Sequence, residues 1–142
     1  GFSENGNSRS METETGTGSF IFVDGGRYDG GWFSENGVKY RHGTGTYVDG
    51  PETYEGEWDR DKMQGKGKMI FATGATYEGD FQASLFHGEG TYTWQDGSTY
   101  TGGWRENKMH GNGCLIDADG IQWKGQFYNG KYNNGRSYLL LK

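Results

Sequence analysis

Tyr77-Glu78-Gly79-Asp80-Phe81 is followed 23 residues later by Tyr100-Thr101-Gly102-Gly103-Trp104, and after 23 more by Trp123-Lys124-Gly125-Gln126-Phe127. The same phrase stands earlier as Tyr54-Glu55-Gly56-Glu57-Trp58 and Tyr28-Asp29-Gly30-Gly31-Trp32. Between the copies runs a second phrase, Gly-x-Gly, at Gly16/Gly18, Gly43/Gly45, Gly65/Gly67, Gly88/Gly90 and Gly111/Gly113. A fixed period of this size marks a linear repeat array, in which each unit buries its apolar face against its neighbours.

Within one unit, Tyr77 and Phe81 stand at i and i+4 with Gly79 between them, so on a strand all three share a face. A glycine between two large rings leaves a socket in which a neighbouring ring can lie over bare backbone. A second run, Thr91-Tyr92-Thr93-Trp94-Gln95, alternates rings with small β-formers and ends at Asp96-Gly97. Asp24-Gly25, Asp49-Gly50 and Asp119-Gly120 occupy the matching places, with Thr73-Gly74 as the variant; Asp-Gly predicts a two-residue hairpin turn. The other connection, Gln82 to His87, reads as a longer loop. The spacing therefore predicts an all-β chain: an elongated, twisted, single-layer antiparallel meander of about ten strands, an open array like a β-solenoid. The glycine frequency and the absence of a sustained 3.6-residue period leave no room for long helices.

Composition agrees. Leu, Ile, Val and Phe make up only 20 of 142 residues, too few for an aliphatic core, but 23 aromatic residues and 28 glycines at regular positions describe a chain that folds by stacking rings. The single cysteine, Cys114, allows no internal disulfide, and a reducing, cytoplasmic setting is the default expectation. No apolar run reaches membrane-spanning length and no signal-peptide pattern opens the chain. A net charge of −5 without a basic cluster argues against nucleic acid as a partner.

The organisation reads as a polar N-terminal tail or remnant of an earlier repeat over 1–15, an array of about five repeats over 16–136, and a capping strand over 137–142. Phe2-Ser3-Glu4-Asn5-Gly6 echoes Phe33-Ser34-Glu35-Asn36-Gly37, as an upstream repeat would. The first junction is longer than the others, which predicts a loop insertion over Phe33 to Tyr40, and Pro51 interrupts the following turn. Asn134 stands where the period expects glycine, and the aliphatic run Tyr138-Leu139-Leu140-Leu141 suits a cap.

Tyr-x-Gly-x-Trp, a connection, His-Gly-x-Gly, an alternating strand and a turn together resemble the MORN repeat. His42-Gly43-Thr44-Gly45, His87-Gly88-Glu89-Gly90 and His110-Gly111-Asn112-Gly113 carry the second phrase, with Gln64 replacing the histidine in one copy. The resemblance runs from about Gly16 to Phe127 and is similar to that of the small stand-alone members. It implies a twisted sheet with the Tyr and Trp rings lining one face as a groove, no catalysis in the repeats, and roles as scaffolds of cilia, flagella and other cytoskeletal structures, as protein-docking grooves, or as membrane-proximal modules.

The side chains that could carry chemistry have plainer readings. Equivalent atoms in adjacent repeats lie ~10 Å apart, two strand spacings, whereas zinc ligands sit ~2 Å from a shared ion, so His42, His87 and His110 define no metal site. Glu55/Glu57 and Glu78/Asp80 share a face at i and i+2, but it is the face opposite the rings, and no pocket is implied that would raise one carboxyl's pKa. Gly-x-Gly here precedes a strand and lacks the helix N-terminus that holds a nucleotide phosphate. The sequence thus predicts no enzyme, catalytic residue, metal or cofactor. A single layer cannot cover both faces, so some aromatic surface should stay exposed and bind a partner. The expected partner-binding residues are Tyr54, Trp58, Tyr77, Phe81, Tyr100 and Trp104 of the regular interior repeats. The expected partner is another protein, through a helical or extended segment, with the chain a cytoplasmic scaffold at the cytoskeleton, cilium or flagellum. Two alternatives stand beside it: a phospholipid-proximal targeting module, which the charge disfavours, and the regulatory repeat region of a larger enzyme. A homodimer through the terminal strands is left open.

Overall fold

The computed structural model describes residues 12–141. They form twelve strands: β1 Thr13–Ile21, β2 Arg27–Glu35, β3 Val38–Asp49, β4 Glu52–Asp59, β5 Lys62–Ile70, β6 Thr76–Gln82, β7 Leu85–Thr93, β8 Thr99–Arg105, β9 Lys108–Ile116, β10 Gln122–Tyr128, β11 Lys131–Asn133 and β12 Tyr138–Leu139. Each pairs antiparallel with the next, in one open sheet whose spatial order is the chain order. The all-β meander expected from the repeat period is what forms, with two short C-terminal strands more than the ten the repeats imply. The echo at residues 2–6 lies outside the described residues.

Even-numbered strands β2 to β10 carry the aromatic phrase, and odd-numbered strands β1 to β9 carry Gly-x-Gly. The pairing register aligns glycine with glycine across the sheet: Gly30 with Gly45, Gly56 with Gly67, Gly79 with Gly90, Gly102 with Gly113. Between Gly56 and Trp58 the β4 strand advances two residues while β5 advances four, from Gly67 to Met63, and the same shift recurs in the other repeats. This bulge is where the first glycine is required: Gly65 has φ +89, a left-handed conformation closed to most side chains.

The two kinds of connection are the reverse of the expectation. The tight two-residue turns follow the aromatic phrase, joining it to Gly-x-Gly at Asn36-Gly37, Arg60-Asp61, Ala83-Ser84 and Glu106-Asn107 and to β11 at Asn129-Gly130, and both residues of each have positive φ. Asp-Gly and its variant Thr73-Gly74 sit instead in a three-residue loop: at the variant, Phe71 N–H donates to Ala75 O, Gly74 N–H donates back to Phe71 O, and Gly74 takes φ +93. Trp94 to Ser98 and Asp117 to Ile121 repeat the pattern, each closed by a left-handed glycine. Asp49-Gly50 is the exception, because Gly50-Pro51 makes a two-residue link between the paired Asp49 and Glu52.

The insertion after Trp32 is also not a loop. Its four extra residues lengthen β2 and β3 by two each, pairing Phe33 with Tyr40 and Glu35 with Val38 around Asn36-Gly37.

Candidate functional site

One face of the sheet carries a row of directly opposed side chains that runs across ten strands: Phe20, Tyr28, Tyr47, Tyr54, Met69, Tyr77, Tyr92, Tyr100, Leu115 and Trp123. Beside it, Trp58 opposes Met63, Phe81 opposes Phe86, Trp104 opposes Met109 and Phe127 opposes Tyr132.

These rings bury one another without a second layer because the glycines let them lie against backbone. Tyr54 covers Gly67, Tyr77 covers Gly90 and Tyr100 covers Gly113; a Cβ at any of these glycines would fall 2.1–2.3 Å from the phenol oxygen. The ring over a glycine was expected, but at Gly79; the covered glycine is its neighbour across the strand pair, and Gly79 serves a closer backbone contact, its Cβ position lying 2.4 Å from Gly90 Cα. Each phenol donates to the carbonyl three residues along its own strand: Tyr54 to Glu57 at 2.8 Å, Tyr77 to Asp80 at 2.8 Å, Tyr100 to Gly103 at 3.0 Å. The rings then meet edge to face in an unbroken series: Tyr28 with Trp58, Trp58 with Tyr54, Tyr54 with Phe81, Phe81 with Tyr77, Tyr77 with Trp104, Trp104 with Tyr100 and Tyr100 with Phe127, at centroid distances of 4.9–5.5 Å. Such pairs contribute about 1 kcal/mol each beyond area burial. The indoles add a bond to the preceding repeat, Trp58 Nε1 to Gly45 O at 3.2 Å and Trp104 Nε1 to Gly90 O at 3.1 Å. Burial pushes the Tyr54, Tyr77 and Tyr100 phenols far above their ordinary pKa.

The six expected partner-binding rings, Tyr54, Trp58, Tyr77, Phe81, Tyr100 and Trp104, are therefore brought together in one cluster, and that cluster is the core: none is more than 7% exposed. The side chains on the solvent side of the ladder are others. Met63, Met69, Phe71, Phe86, Tyr92 and Trp94 pack on the core while remaining partly exposed. Phe86 stacks on Tyr77 at 3.9 Å, and Phe71 and Trp94 lean over Tyr92. Toward the N-terminal end the same face opens into a groove lined by Tyr47, Tyr54, Trp58, Met63, Met69 and Arg41. Arg41 stands where the other repeats carry Met63, Phe86 and Met109; its guanidinium lies 4.4 Å from the Trp58 ring and 3.1 Å from Asp61. Sequence reasoning missed this outer tier because it follows the rings of the aromatic phrase. The signal was present one residue before each His-Gly or Gln-Gly, as Arg41, Met63, Phe86 and Met109.

The opposite face is polar and internally compensated. Glu55, Lys68, Glu78, Thr91, Thr101, Cys114 and Lys124 form one cross-strand row, and Lys66 bonds Asp80 beside it. Burial pushes the Asp80 pKa up, but Lys66 and the Glu89 amide outweigh it and leave the carboxyl below its ordinary range. Glu57 and Asp80 fold over the bulge glycines Gly65 and Gly88, and Asp80 accepts the Glu89 N–H at 3.0 Å. One carboxylate of each pair thus covers a bulge glycine.

The turn edge explains the second phrase. His42 Nδ1 accepts the Arg60 N–H at 3.2 Å, Gln64 Oε1 the Ala83 N–H at 2.9 Å and His110 Nδ1 the Asn129 N–H at 3.4 Å. Histidine and glutamine are interchangeable here because each presents an acceptor at the same reach. The next turn residue completes a reciprocal clasp: Asn107 N–H donates to Phe86 O and Asn107 Oδ1 accepts the Phe86 N–H at 2.8 Å, and Ser84 with Met63 and Asp61 with Arg41 do the same.

The MORN repeat family model matches residues 54–76, 77–99 and 100–122, three consecutive units in register with the strand pairs above. No curated protein sequence matches the chain. Repeats of this family form protein-interaction or membrane-binding modules and are generally non-catalytic. Tyr28–Trp32 and Trp123–Phe127 take the same strand positions outside the matched stretch, and the chain is a MORN-repeat protein.

Proposed function

We propose that the chain is a non-enzymatic interaction scaffold that holds a helical or extended segment of another protein on its ring face. One observation carries this reading: the ladder is roofed by a continuous tier of partly exposed apolar side chains, Met63, Met69, Phe71, Phe86, Tyr92 and Trp94, with nothing packed above them among the described residues. An apolar strip bordered by polar groups is a partner surface by its physics, and aromatic and methionine side chains are the residue types that adapt to and anchor a bound segment. The net charge of −5 and the interleaved charges of the polar face weigh against an anionic lipid surface as the target. A place at the cytoskeleton or cilium is part of this proposal and rests only on resemblance to the family.

Affinity capture with three versions of the chain tests the reading: wild type, a ring-face variant with Met63→Glu, Phe71→Glu and Trp94→Glu, and a polar-face variant with Glu55→Lys and Glu78→Lys. Proteins held by the wild type should be retained by the polar-face variant and lost by the ring-face variant, with both variants verified as folded by circular dichroism. Loss from the polar-face variant alone would place the partner on the other side. Salt-sensitive co-sedimentation with acidic liposomes would move the function to the membrane.

A further inference from the structure

The ring face changes character over β3 and β4. Beyond the row of opposed rings, other repeats place Phe22 opposite Gly26, Phe71 opposite Ala75 and Trp94 opposite Ser98, whereas here Asp49 is paired with Glu52. Each stands two residues from a ladder tyrosine, Tyr47 or Tyr54, and so shares the face of the rings. Toward the opposite edge, Arg41 takes the place held elsewhere by Met63, Phe86 and Met109. Between the two lies the groove, about 200 Å³, floored by Tyr47, Tyr54, Met63 and Met69, with Asp49 and Glu52 at one end and Arg41 and Asp61 at the other.

The charges at the two ends are satisfied to different degrees. Arg41 is engaged: its Nε lies 3.1 Å from Asp61 Oδ1, and its guanidinium packs 4.4 Å from the Trp58 ring and 5.0 Å from the Tyr47 ring. Lys39, two residues back along β3, lies 4.4 Å from the Trp32 ring. Asp49 and Glu52 are exposed and, among the described residues, form no ion pair and accept no hydrogen bond. The aspartates of neighbouring Asp-Gly turns are used differently, since Asp24 and Asp96 accept loop N–H groups at 3.0 and 2.9 Å. Like charges directly opposed across an antiparallel pair repel. Burial raises the Tyr47 phenol's pKa, and the Asp24 and Asp49 carboxylates raise it further, so a third carboxylate acts on this corner.

We propose that this groove receives an arginine or lysine of the segment bound on the ring face, its aliphatic stem lying on Tyr47 and Tyr54 and its cation held by Asp49 and Glu52. Arg41 displays the mode within the chain, a guanidinium over the same aromatic floor with a carboxylate beside it. Three carboxylates against one guanidinium leave the groove lining net negative, so it selects a basic side chain over an acidic one. The partner segment is then apolar where it crosses Met63 to Trp94 and basic where it reaches the Gly50-Pro51 turn, which fixes the end of the strip at which its cation lies. The inference rests on the ring face being the partner surface and adds to that reading the chemistry of one anchor.

The test selects short random peptides displayed on phage against the whole chain. Binders lost on the Met63→Glu, Phe71→Glu, Trp94→Glu variant are ring-face binders. They should share an arginine or lysine beside apolar residues. Asp49→Asn with Glu52→Gln should weaken them at least about tenfold, by a margin that narrows as salt is raised. Glutamine in place of the peptide's basic residue should make the two forms of the protein bind alike. The double variant relieves a like-charge pair and should melt no lower than wild type, which separates lost binding from lost fold. Glu55→Gln with Glu78→Gln on the polar face should bind as wild type does. Ring-face binders without a basic residue, or equal affinity for wild type and the Asp49→Asn, Glu52→Gln variant, overturn this inference and leave the scaffold reading standing. A library that yields no ring-face binder overturns both.

Discussion

The glycine pairs let a single sheet hold a core, and they do so by two different contacts. Gly90 is bare because the Tyr77 ring occupies the position of its side chain; Gly79 is bare because Gly90 approaches it backbone to backbone. Gly90→Ala must displace a buried ring that also donates a hydrogen bond, and it should cost ~2–4 kcal/mol of unfolding free energy by denaturant titration, against ~0.5 kcal/mol or less for Glu78→Ala on the polar face. An equal midpoint for the two variants would remove the ring from its seat. The phenols make a second prediction. Burial holds Tyr28, Tyr54, Tyr77 and Tyr100 protonated at pH values where the unfolded chain, with tyrosine pKa near ~10, has begun to ionise. Their contribution is complete below pH ~10 and falls above it by about 1.4 kcal/mol per pH unit for each phenol. Phenolate absorbance should therefore rise partly in a cooperative step that coincides with loss of the strand signal in circular dichroism. A smooth rise completed before any unfolding would contradict the burial.

At the scale of the hairpin, the clasp between successive turns is where specificity of register resides. Asn107→Ala removes the acceptor for Phe86 N–H and places a residue less suited to positive φ at the turn, and should cost ~1–2 kcal/mol in a thermal or denaturant melt. Gln64→His, which restores the acceptor used in the other repeats, should stay within ~0.5 kcal/mol of wild type. The strand content, the antiparallel order and the ring ladder were all legible in the sequence, because a period of two residues with rings at i and i+4 admits one face only. The turn types were not. Arg60-Asp61 and Ala83-Ser84 lack the glycine that advertises a tight turn, and they hold positive φ because side chains and carbonyls one repeat back bind both of their N–H groups. Likewise the four residues added after Trp32 looked like a loop until cross-strand pairs such as Phe33 with Tyr40 gave them partners. The candidate site was legible as a face and not as a list of contacts. Tyr77 and Trp104 identify the side of the sheet, but Phe86 and Tyr92, set by pairing register, decide which atoms that face leaves partly exposed.

Across the whole molecule each repeat touches only its neighbours, so the array should be modular at its own period. Deletion of residues 77–99 joins Thr76 to Tyr100 as Thr76 is now joined to Tyr77, and it should leave a folded, shorter all-β protein of somewhat lower stability. Deletion of half that length would put rings against the wrong glycines and should abolish the cooperative melt. The same repetition would give the proposed partner surface its continuity, since the units over residues 54–99 contribute their outer side chains to one strip on one face. The most direct measurement of that claim is site-specific photo-crosslinking with the probe amino acid at Phe71, on the ring face, and in parallel at Lys68, three residues away on the polar face. Crosslinks to a partner from position 71 and none from position 68 are the expected result; crosslinks from position 68 alone would contradict the assignment of the ring face.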